Sequence, residues 1–299
     1  MTIGGVSETD LVERFEAQRP RLVRLAYGQL GSLAEAEDVV QDAWLRLERV
    51  DADEIRDLHG WLTTVVSRLA LDALRSARVR REAYVGPWLP EPVVQEPGPE
   101  GRAERAEDVS LALLVVMESL SASERIAFVL HDVFGYSFDE VSAALGTSSA
   151  SARQHASRAR KAVEARRPRF PATPEQQREV VLAFGKAADD GDLDTLLELL
   201  HPDVVFTADG GGRVTAARRP ITGADHVARV SALLAARRNW VLNLVDVNGM
   251  PGLFGVAPDG TKTVMSFTVD GGRIVAIDVQ RNPEKMHGVT RDDVTDLEA

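Results

Sequence analysis

The sequence predicts a multidomain chain with two all-α domains, the second containing a helix-turn-helix, followed by an α+β domain. Apolar residues recur at three- and four-residue steps before residue 82 and again between residues 109 and 167, which is typical of amphipathic helices. Between these blocks, five prolines and three glycines exclude a continuous helix and indicate an extended linker. After Pro168, short alternating segments rich in β-branched residues predict strands. The predicted domains are residues 1–82, the linker 83–108, residues 109–168 and residues 169–299.

The composition of the chain excludes several classes of function. The 299 residues include no cysteine, so the chain has no disulfide, no thiolate metal site and no cysteine nucleophile. The sequence contains no phosphate-binding loop, dinucleotide-binding motif or cluster of metal ligands, and we expect no cofactor and no metal. The N-terminus does not resemble a signal peptide, and there is no run of about 18 apolar residues. We therefore expect a cytoplasmic protein with no membrane partner.

Positive charge is concentrated in two short segments of an acidic chain. The net charge is −11, which argues against indiscriminate DNA binding. Residues 68–81 nevertheless contain five arginines and one aspartate, and residues 147–169 contain seven basic residues and one glutamate. Two separated basic surfaces are typical of a protein that contacts DNA phosphates, although solvated helix faces have the same composition.

Two strong helices are predicted in the first domain. Ser32 and Glu35 have capping-box spacing, and apolar residues then recur on one face of a helix. A longer helix is predicted from Gly60 to Arg81. Trp61 is in phase with the apolar residues of this longer helix, so we expect it in the core rather than on the surface. The apolar face of the shorter helix contains Ala36, Val39, Val40, Ala43, Trp44 and Leu47.

The third block has the spacing of a helix-turn-helix. Gly146 is placed to end one helix, and Thr147 or Ser148 is placed to begin the next. This last helix, predicted from about Ser149 to Arg166, is basic, and a short glycine turn before such a helix is typical of DNA-binding proteins. Capping boxes are predicted at Ser121 with Glu124 and at Ser137 with Glu140.

The C-terminal block predicts an α+β domain with a mainly antiparallel sheet. Pro174 is placed at the first position of a helix, where proline is favoured. Helices are predicted over about 175–189, 192–200 and 224–236, and a hairpin turn at Asp270-Gly271-Gly272. The predicted strands are Val204–Ala208, Arg213–Ala217, Trp240–Asn248, Gly252–Val256, Lys262–Val269 and Arg273–Gln280.

Three segments resemble bacterial sigma factors of the extracytoplasmic-function group. Residues 36–47, AEDVVQDAWLRL, resemble the helix by which sigma factors grip the clamp helices of RNA polymerase. Residues 61–81 resemble the helix that reads the promoter −10 element. Residues 120–161, which include LSASER, FGYSFDEV and SRARK, resemble the domain that reads the −35 element. The resemblance implies a transcription initiation factor whose partners are promoter DNA and the β′ clamp helices and β flap of RNA polymerase core.

The resemblance and the charge pattern together assign three sets of binding residues. Acidic and amide groups around Trp44 suit docking onto a basic partner surface. Arg68 stands where many members of the group have asparagine, which changes the chemistry expected for base capture. In the −35 set, the first four residues are expected at base edges and the last three at phosphates. The sets are Asp38, Gln41, Asp42 and Trp44 for core polymerase; Arg68, Asp72, Arg75, Arg78, Arg80 and Arg81 for the −10 element; and Ser149, Ser151, Arg153, Gln154, Arg158, Arg160 and Lys161 for the −35 element.

Further motifs resemble a subgroup of these sigma factors that carries a fused SnoaL-like domain, an NTF2-like cone with a pocket. The linker reads WLPEP from Trp88, and the later sequence reads DGGGR from Asp209 and NPEK from Asn282, where Glu284 replaces the aspartate of the subgroup. We expect this domain to regulate the sigma domains in cis, and a small-molecule ligand in its pocket would act only through unequal affinity for two forms. The residues expected in this regulatory contact are Trp88, Leu89, Pro90, Asp209, Gly210, Gly211, Gly212, Arg213, Asn282 and Pro283.

Two other functions fit parts of the sequence. An NTF2-like isomerase or cyclase fused to a DNA-binding module would use a buried Asp or His as general base, and an acid deep in the pocket would distinguish it. Asp278 alternates with Ile277 and Val279, which favours a solvent-facing side chain. A dimeric helix-turn-helix repressor would leave residues 36–81 unexplained. The candidate acids and bases are His201, Asp209, His226, Asp246 and Asp278.

Overall fold

The computed structural model describes residues 8–51, 55–82, 84–95, 109–166, 168–286 and 289. The chain forms two compact units, which are described one at a time. The first contains residues 1–82 and 116–165, and the second contains residues 83–115 and 166–299. Most of both helical regions therefore lies in one unit, and the linker lies in the same unit as the C-terminal domain.

Three helices form the N-terminal part of the first unit, namely α1 (Glu8–Leu30), α2 (Leu33–Leu47) and α3 (Leu58–Glu82). The predicted start of α2 is confirmed, because Ser32 accepts a hydrogen bond from the backbone amide of Glu35 at 3.3 Å. Helix α3 begins two residues before the predicted Gly60. Trp61 is half-buried rather than fully buried, whereas its neighbour Leu62 is completely buried.

The helices that follow are α4 (Leu111–Met117), α5 (Ala122–Phe128), α6 (Phe138–Leu145) and α7 (Ser149–Glu164), with a π-helical turn at Val129–Val133 after α5. The predicted capping boxes at Ser121 and Ser137 are both present. Gly146 ends α6 with a φ of 63°, a left-handed conformation that favours glycine. Ser148 caps α7. Helices α6 and α7 pack together, so the helix-turn-helix prediction is confirmed.

The described residues of the second unit form a seven-stranded sheet with the order β1-β4-β5-β6-β7-β2-β3. Neighbouring strands are antiparallel except β2 and β7, which are parallel. The predicted α+β class is therefore confirmed. The strands are β1 (Val94–Gln95), β2 (Leu200–Asp209), β3 (Ile221–Thr222), β4 (Asn243–Val247), β5 (Met250–Val256), β6 (Lys262–Asp270) and β7 (Arg273–Gln280).

Three helices of this unit pack on one face of the sheet, namely α8 (Pro174–Asp190), α9 (Leu193–Leu199) and α10 (Ala224–Arg237). Pro174 is the first residue of α8, and Thr173 caps it. Phe184 on α8 meets Phe267 on β6 edge to face, with ring centroids 5.4 Å apart. Alternate residues of each strand join this core, so their neighbours in the sequence lie on the opposite face of the sheet.

The structure corrects two expectations for the C-terminal domain. Residues 213–217 form a turn followed by irregular backbone instead of the predicted strand Arg213–Ala217, because the backbone amides of Arg213 and Val214 both donate to the carbonyl oxygen of Gly210. Asp278 is only 6% exposed, so the expected solvent-facing side chain is wrong. The short strands β1 and β3 escaped prediction because two residues carry no periodic pattern. In the described part of the chain, no helix is long and apolar enough to cross a membrane.

Candidate nucleic-acid interface and linker clamp

The predicted polymerase-binding residues lie on the exposed face of α2. Asp38, Gln41 and Asp42 are exposed, opposite the buried apolar face of the helix. Trp44 is half-buried, and its ring packs on Phe15 of α1 with centroids 4.9 Å apart. The aromatic ring is therefore held at a fixed position beside three polar groups, which is an arrangement suited to docking a partner.

The predicted −10 residue Arg68 is engaged inside the first unit. Its Nε and Nη2 atoms donate to the carbonyl oxygen of Ala143 at 3.2 and 2.8 Å. Arg68 lies on α3 and Ala143 lies in the last turn of α6, so the predicted −10 helix contacts the first helix of the helix-turn-helix. Two of the donors that would bind a base are occupied by this carbonyl oxygen.

The remaining −10 candidates are exposed or undescribed. Arg75 Nη1 and Asp72 Oδ1 are 3.6 Å apart, and both side chains are largely exposed. An exposed ion pair of this kind contributes little to stability, so Arg75 can exchange it for a phosphate. Arg78, Arg80 and Arg81 lie on α3, but their side chains are outside the described residues.

A polar cluster around Tyr136 joins the two helical regions of the first unit. Arg21 donates to the Tyr136 hydroxyl and, through Nη2, to Thr63 Oγ1 at 2.9 Å. The Tyr136 hydroxyl also lies 3.2 Å from Thr63 Oγ1 and 3.3 Å from His59 Nε2. The members of this cluster are far apart in the chain and none has an unusual local pattern, so the sequence does not predict it.

Two of the predicted −35 residues use their hydroxyl groups within the protein. Ser149 donates to Asp139 Oδ1 at 2.6 Å. The hydroxyls of Ser151 and Ser148 share a hydrogen bond of 3.0 Å, at the N-terminus of α7. These contacts stabilise the helix start and the turn before it, and they occupy the groups that were expected to read bases.

Two other predicted −35 residues remain available on the surface of α7. Arg153 and Gln154 are both exposed. The guanidinium of Arg153 lies 5.1 Å from the centre of the Phe138 ring, a contact that orients the side chain without using its hydrogen-bond donors. In a major groove, arginine pairs with guanine and glutamine with adenine.

The candidates for phosphate contact on α7 differ in how they are held. Arg160 donates to Asp132 Oδ1 from Nε and Nη2 at 2.8 and 2.5 Å. Arg158 lies 3.8 Å from Glu124. Although burial opposes it, the capping hydrogen bonds and the charge of Arg158 lower the pKa of Glu124. Lys161 is exposed.

A buried carboxylate, Asp209, binds the linker within the second unit. The Asp209 side chain has no exposed surface. Its Oδ1 accepts from the Tyr84 hydroxyl at 2.6 Å, and its Oδ2 accepts from the Leu89 backbone amide at 2.9 Å. Burial, followed by the hydrogen bond to Asp209, raises the pKa of Tyr84 above its usual range. Asp209, the linker residues that contact it and the side chains that support them form a cluster that we call the linker clamp. Its members are Tyr84, Trp88, Leu89, Pro90, Asp209, Gln280, Asn282 and Lys285.

Lys285 supplies the positive charge of the linker clamp. Its Nζ atom lies 2.7 Å from Asp209 Oδ2 and donates to the Leu89 carbonyl oxygen at 2.6 Å. The same Nζ atom is 4.0 Å from the centre of the Trp88 ring and 5.0 Å from that of Tyr84. One ammonium group thus contacts an anion, a carbonyl oxygen and two aromatic rings.

Two amide side chains complete the linker clamp. Gln280 Nε2 donates to the carbonyl oxygens of Leu89 and Pro90 at 3.3 and 3.1 Å. Asn282 Nδ2 donates to the Tyr84 hydroxyl at 2.8 Å. Gln280 and Asp209 are paired in register on β7 and β2, so the sheet itself sets their spacing.

The glycine run after Asp209 is required by close packing. Gly211 has a φ of +61°, and a Cβ atom there would lie 2.4–2.6 Å from the side-chain amide of Asn282. A Cβ atom at Gly210 would lie 2.5 Å from the carbonyl oxygen of Val214. Gly212 packs on the linker, with a virtual Cβ 3.1 Å from Val85.

The structure brings together eight of the ten residues expected in the regulatory contact, and two lie beside them. Arg213 forms an exposed ion pair with Glu284, at 2.6 Å, and Pro283 opens the 3₁₀ turn Pro283–Lys285. Sequence reasoning missed the roles of Tyr84, Gln280 and Lys285, although Lys285 lies within the quoted NPEK motif.

A second contact holds the far end of the linker. Val94 of β1 pairs with Val247 of β4. Asn248 Oδ1 accepts from the Val93 amide at 3.0 Å, and its Nδ2 donates to the Val109 carbonyl oxygen at 3.2 Å. Both the beginning and the end of the linker are therefore bound to the same domain.

A cavity of about 380 Å³ lies between α8, α10 and the sheet. None of the five candidate acids and bases lines it. Among its described lining residues, the carboxylate is Asp189, which pairs with Arg238 and is 54% exposed. Burial raises the pKa of Asp278 to about 7, but Asp278 lies on a different face of β7 from Val279, which lines the cavity.

The other candidate acids and bases have structural partners. Asp209 belongs to the linker clamp, His201 Nδ1 accepts from the Asp203 amide, and His226 lies near the Thr222 carbonyl oxygen. Asp246 is buried on β4. The residues that the structure describes contain no group of three or more His, Cys, Asp or Glu that could hold a metal ion.

Comparison with known proteins places this arrangement in context. A model of Sigma-70 region 2 matches residues 14–80, and a model of Sigma-70 region 4 matches residues 110–163. The chain is 44% identical to the ECF RNA polymerase sigma factor SigJ of Mycobacterium tuberculosis over 93% of each chain. It is 34% identical to a probable ECF RNA polymerase sigma factor, SigI, of the same species, over 91% of this chain and 93% of that one. The crystal structure of SigJ superposes with a TM-score of 0.75, at 42% identity, over 93% of this chain and 98% of that one.

Proposed function

This chain belongs to the extracytoplasmic-function sigma factors, and from this premise we propose that its free form is closed and that the C-terminal domain favours the closed form in cis. As a sigma factor it directs RNA polymerase to promoters, and the family is not enzymatic. Its proposed location is the cytoplasm, where RNA polymerase acts.

The contact between Arg68 and Ala143 carries this proposal. The −10 and −35 elements are about 25 base pairs apart, or roughly 85 Å along a duplex at about 3.4 Å per base pair. Helix α3 is expected to read one element and α7 the other, yet α3 contacts α6, the helix that packs on α7. A unit packed in this way cannot place both helices on their elements, so we infer that it opens before promoter binding.

The linker clamp supports the regulatory part of the proposal. Asp209 holds Tyr84 and Leu89 near the start of the linker, and Asn248 holds Val93 and Val109 further along. A domain of about 130 residues has a radius of gyration of about 14 Å. The linker connects the two helical regions. Because both of its ends are bound to one such domain, they stay close together, and this favours packing of the two helical regions over their separation.

We propose that the residues predicted from the sequence bind core polymerase and promoter DNA, except for two serines of α7. Ser149 and Ser151 are assigned to stabilising α7 rather than to reading bases, because their hydroxyls are already bonded. The domain boundaries drawn from the sequence are proposed unchanged. The residues proposed for polymerase are Asp38, Gln41, Asp42 and Trp44; those for −10 DNA are Arg68, Asp72, Arg75, Arg78, Arg80 and Arg81; and those for −35 DNA are Arg153, Gln154, Arg158, Arg160 and Lys161.

We further propose that the C-terminal domain acts by binding rather than by catalysis. The cavity has no buried carboxylate among its described lining residues, since Asp189 is exposed and paired. A general base needs to be within hydrogen-bond reach of its substrate. Isomerisation of a ketosteroid by the full chain, lost in Asp278→Asn, would contradict this proposal.

The closed form can be tested by distance measurement, since the chain has no cysteine to interfere with labelling. A donor and an acceptor dye are attached to Arg56→Cys and Glu164→Cys, both at exposed positions of the first unit. We expect high transfer efficiency in the free factor. Tyr136→Phe removes one hydroxyl from the polar cluster and is expected to lower this efficiency without altering a proposed DNA contact.

The regulatory role is tested in the same labelled chain by Lys285→Met, with Arg229→Ala as the control for an exposed ion pair. We expect Lys285→Met to lower transfer efficiency and to raise promoter-dependent transcription with core polymerase severalfold. Arg229→Ala should change neither. Lower transcription from Lys285→Met, with the fold intact, would show the domain to be a positive element and overturn the proposed sign.

A further inference from the structure

The cavity of the C-terminal domain combines an apolar interior with a few polar atoms. Its volume is about 380 Å³, within the usual range for small-molecule sites. Phe184, Phe206, Leu244, Leu253 and Met265 supply much of the apolar wall. A cavity of this size and composition buries an apolar molecule or the apolar part of an amphipathic one.

Three residues that line this cavity each have a buried polar atom with no hydrogen-bond partner in the described part of the chain. These atoms are Ser231 Oγ, Thr263 Oγ1 and Arg281 Nε. Ser231 and Thr263 are only 7% and 6% exposed. Buried polar groups are nearly always paired in folded proteins, so three unpaired groups around one cavity indicate a ligand that pairs with them.

Two of these three groups are neighbours in the sheet. Val264 pairs with Gln280 in the antiparallel register of β6 and β7. The same register, extended by one residue past the end of β7, puts Thr263 opposite Arg281. Cβ atoms of such pairs are about 5 Å apart, so one ligand group can reach both side chains. Arg281 is fixed by a hydrogen bond of 2.5 Å from Nη1 to the Thr215 carbonyl oxygen, and this leaves Nε for the ligand.

The charge of the lining selects the kind of ligand group. The described lining contains four cationic side chains and one carboxylate, and the carboxylate is already paired with Arg238. Nε of Arg281 is a donor only, so its partner must be an acceptor. Burial of the Arg281 guanidinium lowers its pKa, because the cation lacks a nearby counter-charge strong enough to offset desolvation. An anionic acceptor would supply that charge.

We propose that this cavity is a binding site for a small amphipathic carboxylate. Its apolar body lies among the phenylalanine, leucine and methionine side chains, and its carboxylate accepts hydrogen bonds from Arg281 Nε and Thr263 Oγ1. Ser231 on α10 faces the cavity from the helical wall and binds a further polar atom of the ligand. Neither the family assignment nor the closed form of the first unit is needed for this site.

The test uses three probes that share one ten-carbon chain, namely decanoate, decanol and decylamine. Binding to the full chain is measured by titration calorimetry, together with the shift of the unfolding temperature. We expect decanoate to bind and to raise the unfolding temperature, with decanol at least about tenfold weaker because it lacks the charge-assisted hydrogen bond. Equal binding of decanol and decanoate, or preference for decylamine, would overturn the proposal.

Variants of the cavity separate binding from folding. Thr263→Val keeps the shape of the side chain and removes the unpaired hydroxyl, so we expect unchanged or higher stability without ligand but severalfold weaker decanoate binding. Arg281→Leu should weaken binding at least about tenfold, whereas the control Arg229→Leu removes an exposed arginine outside the cavity and should leave it unchanged. If decanoate binds equally well to Thr263→Val and Arg281→Leu, the assigned carboxylate position is wrong.

Discussion

Lys285 Nζ lies 2.7 Å from Oδ2 of Asp209, a carboxylate with no exposed surface. The pair is 76 residues apart in the sequence, and Asp209 also accepts hydrogen bonds from the linker. An isolated buried charge is strongly unfavourable, whereas a paired and fully hydrogen-bonded one is tolerated. The negative charge of Asp209 can therefore stay buried only while Lys285 and the linker groups are in place.

Replacing Lys285 tests this dependence. We expect Lys285→Met to destabilise the second unit by about 3–5 kcal/mol, because it leaves the Asp209 carboxylate buried without its counter-charge. Unfolding by urea, monitored on the full chain, measures the change. The control Arg213→Ala removes an ion pair in which both side chains are more than half exposed, and its effect should be within about 1 kcal/mol. Equal effects of the two variants would mean that Lys285 is not essential to the linker clamp.

Gly211 tests how closely the glycine run approaches Asn282. Gly211→Ala adds a Cβ that would lie 2.4–2.6 Å from the Asn282 side chain, at a φ of +61°. We expect destabilisation of about 2–3 kcal/mol, from the strained backbone and the displaced side chain together. Limited proteolysis of the linker should accelerate in parallel, since Asn282 holds Tyr84.

Gly271 provides the matched control for this substitution. It has a φ of +56°, and nothing lies within 4 Å of a Cβ built there. Gly271→Ala therefore reports the cost of the left-handed backbone alone, which we expect to be about 1 kcal/mol. If both variants lose the same stability, the close contact with Asn282 contributes nothing.

The sequence predicted the elements of this protein better than it predicted their contacts. The periodicity of α2, α3 and α7 and three capping boxes predicted helices whose ends differ from the observed ones by only a few residues. The strand predicted at Arg213–Ala217 failed because alternation alone cannot exclude a glycine turn that bonds to itself. Local patterns report backbone preferences, and they carry no information on which distant segments meet.

The linker clamp shows where the limit of sequence reasoning lies. The resemblance to a sigma subgroup brought attention to Asp209 and Gly211, but it did not show that Asp209 binds Tyr84, 125 residues away in the sequence. Gln280 has no motif of its own, and its role follows from its register with Asp209 across β2 and β7. Such roles depend on sheet topology, which a single sequence does not determine.

Asp278 predicts a pH dependence of stability. Burial raises its pKa from 3.8 in the reference state to about 7. Because the folded-state pKa lies above the unfolded one, the stabilisation is complete below about pH 4 and is lost as the pH rises through about 7. We expect the free energy of unfolding of the full chain to fall by about 3 kcal/mol between pH 5 and pH 8 from this group alone.

Two variants identify the group responsible for that loss. Asp278→Asn should abolish most of the change between pH 5 and pH 8, since the amide does not ionise. The second variant, Asp259→Asn, is the control. Hydrogen bonds from Thr261 lower the pKa of Asp259, so this carboxyl titrates only at more acidic pH. Urea unfolding at each pH measures the effect. A pH profile of Asp278→Asn that matches the original chain would assign the loss to another residue.

We expect different residues of α7 to contact the bases and the phosphates of the −35 element. Arg153 is exposed, and no group in the described part of the chain accepts a hydrogen bond from it. Arg153→Ala should therefore weaken −35 recognition by about 1–3 kcal/mol and relax specificity at one base pair. Lys161→Ala should weaken binding equally for all DNA sequences. It should also reduce the number of counterions released on binding, read from the salt dependence of the affinity, by about one. Binding of promoter DNA variants to the complex with core polymerase, measured at several salt concentrations, distinguishes the two effects.

Ser149→Ala completes this comparison, because sequence and structure assign Ser149 different roles. Its hydroxyl donates to Asp139 Oδ1 at 2.6 Å, so its loss should cost about 1–2 kcal/mol of stability in the first unit. Sequence preference at the −35 element should stay unchanged, since the hydroxyl is not free to reach a base. A shift in preference at one base pair with unchanged stability would restore the base-reading role that the sequence first indicated.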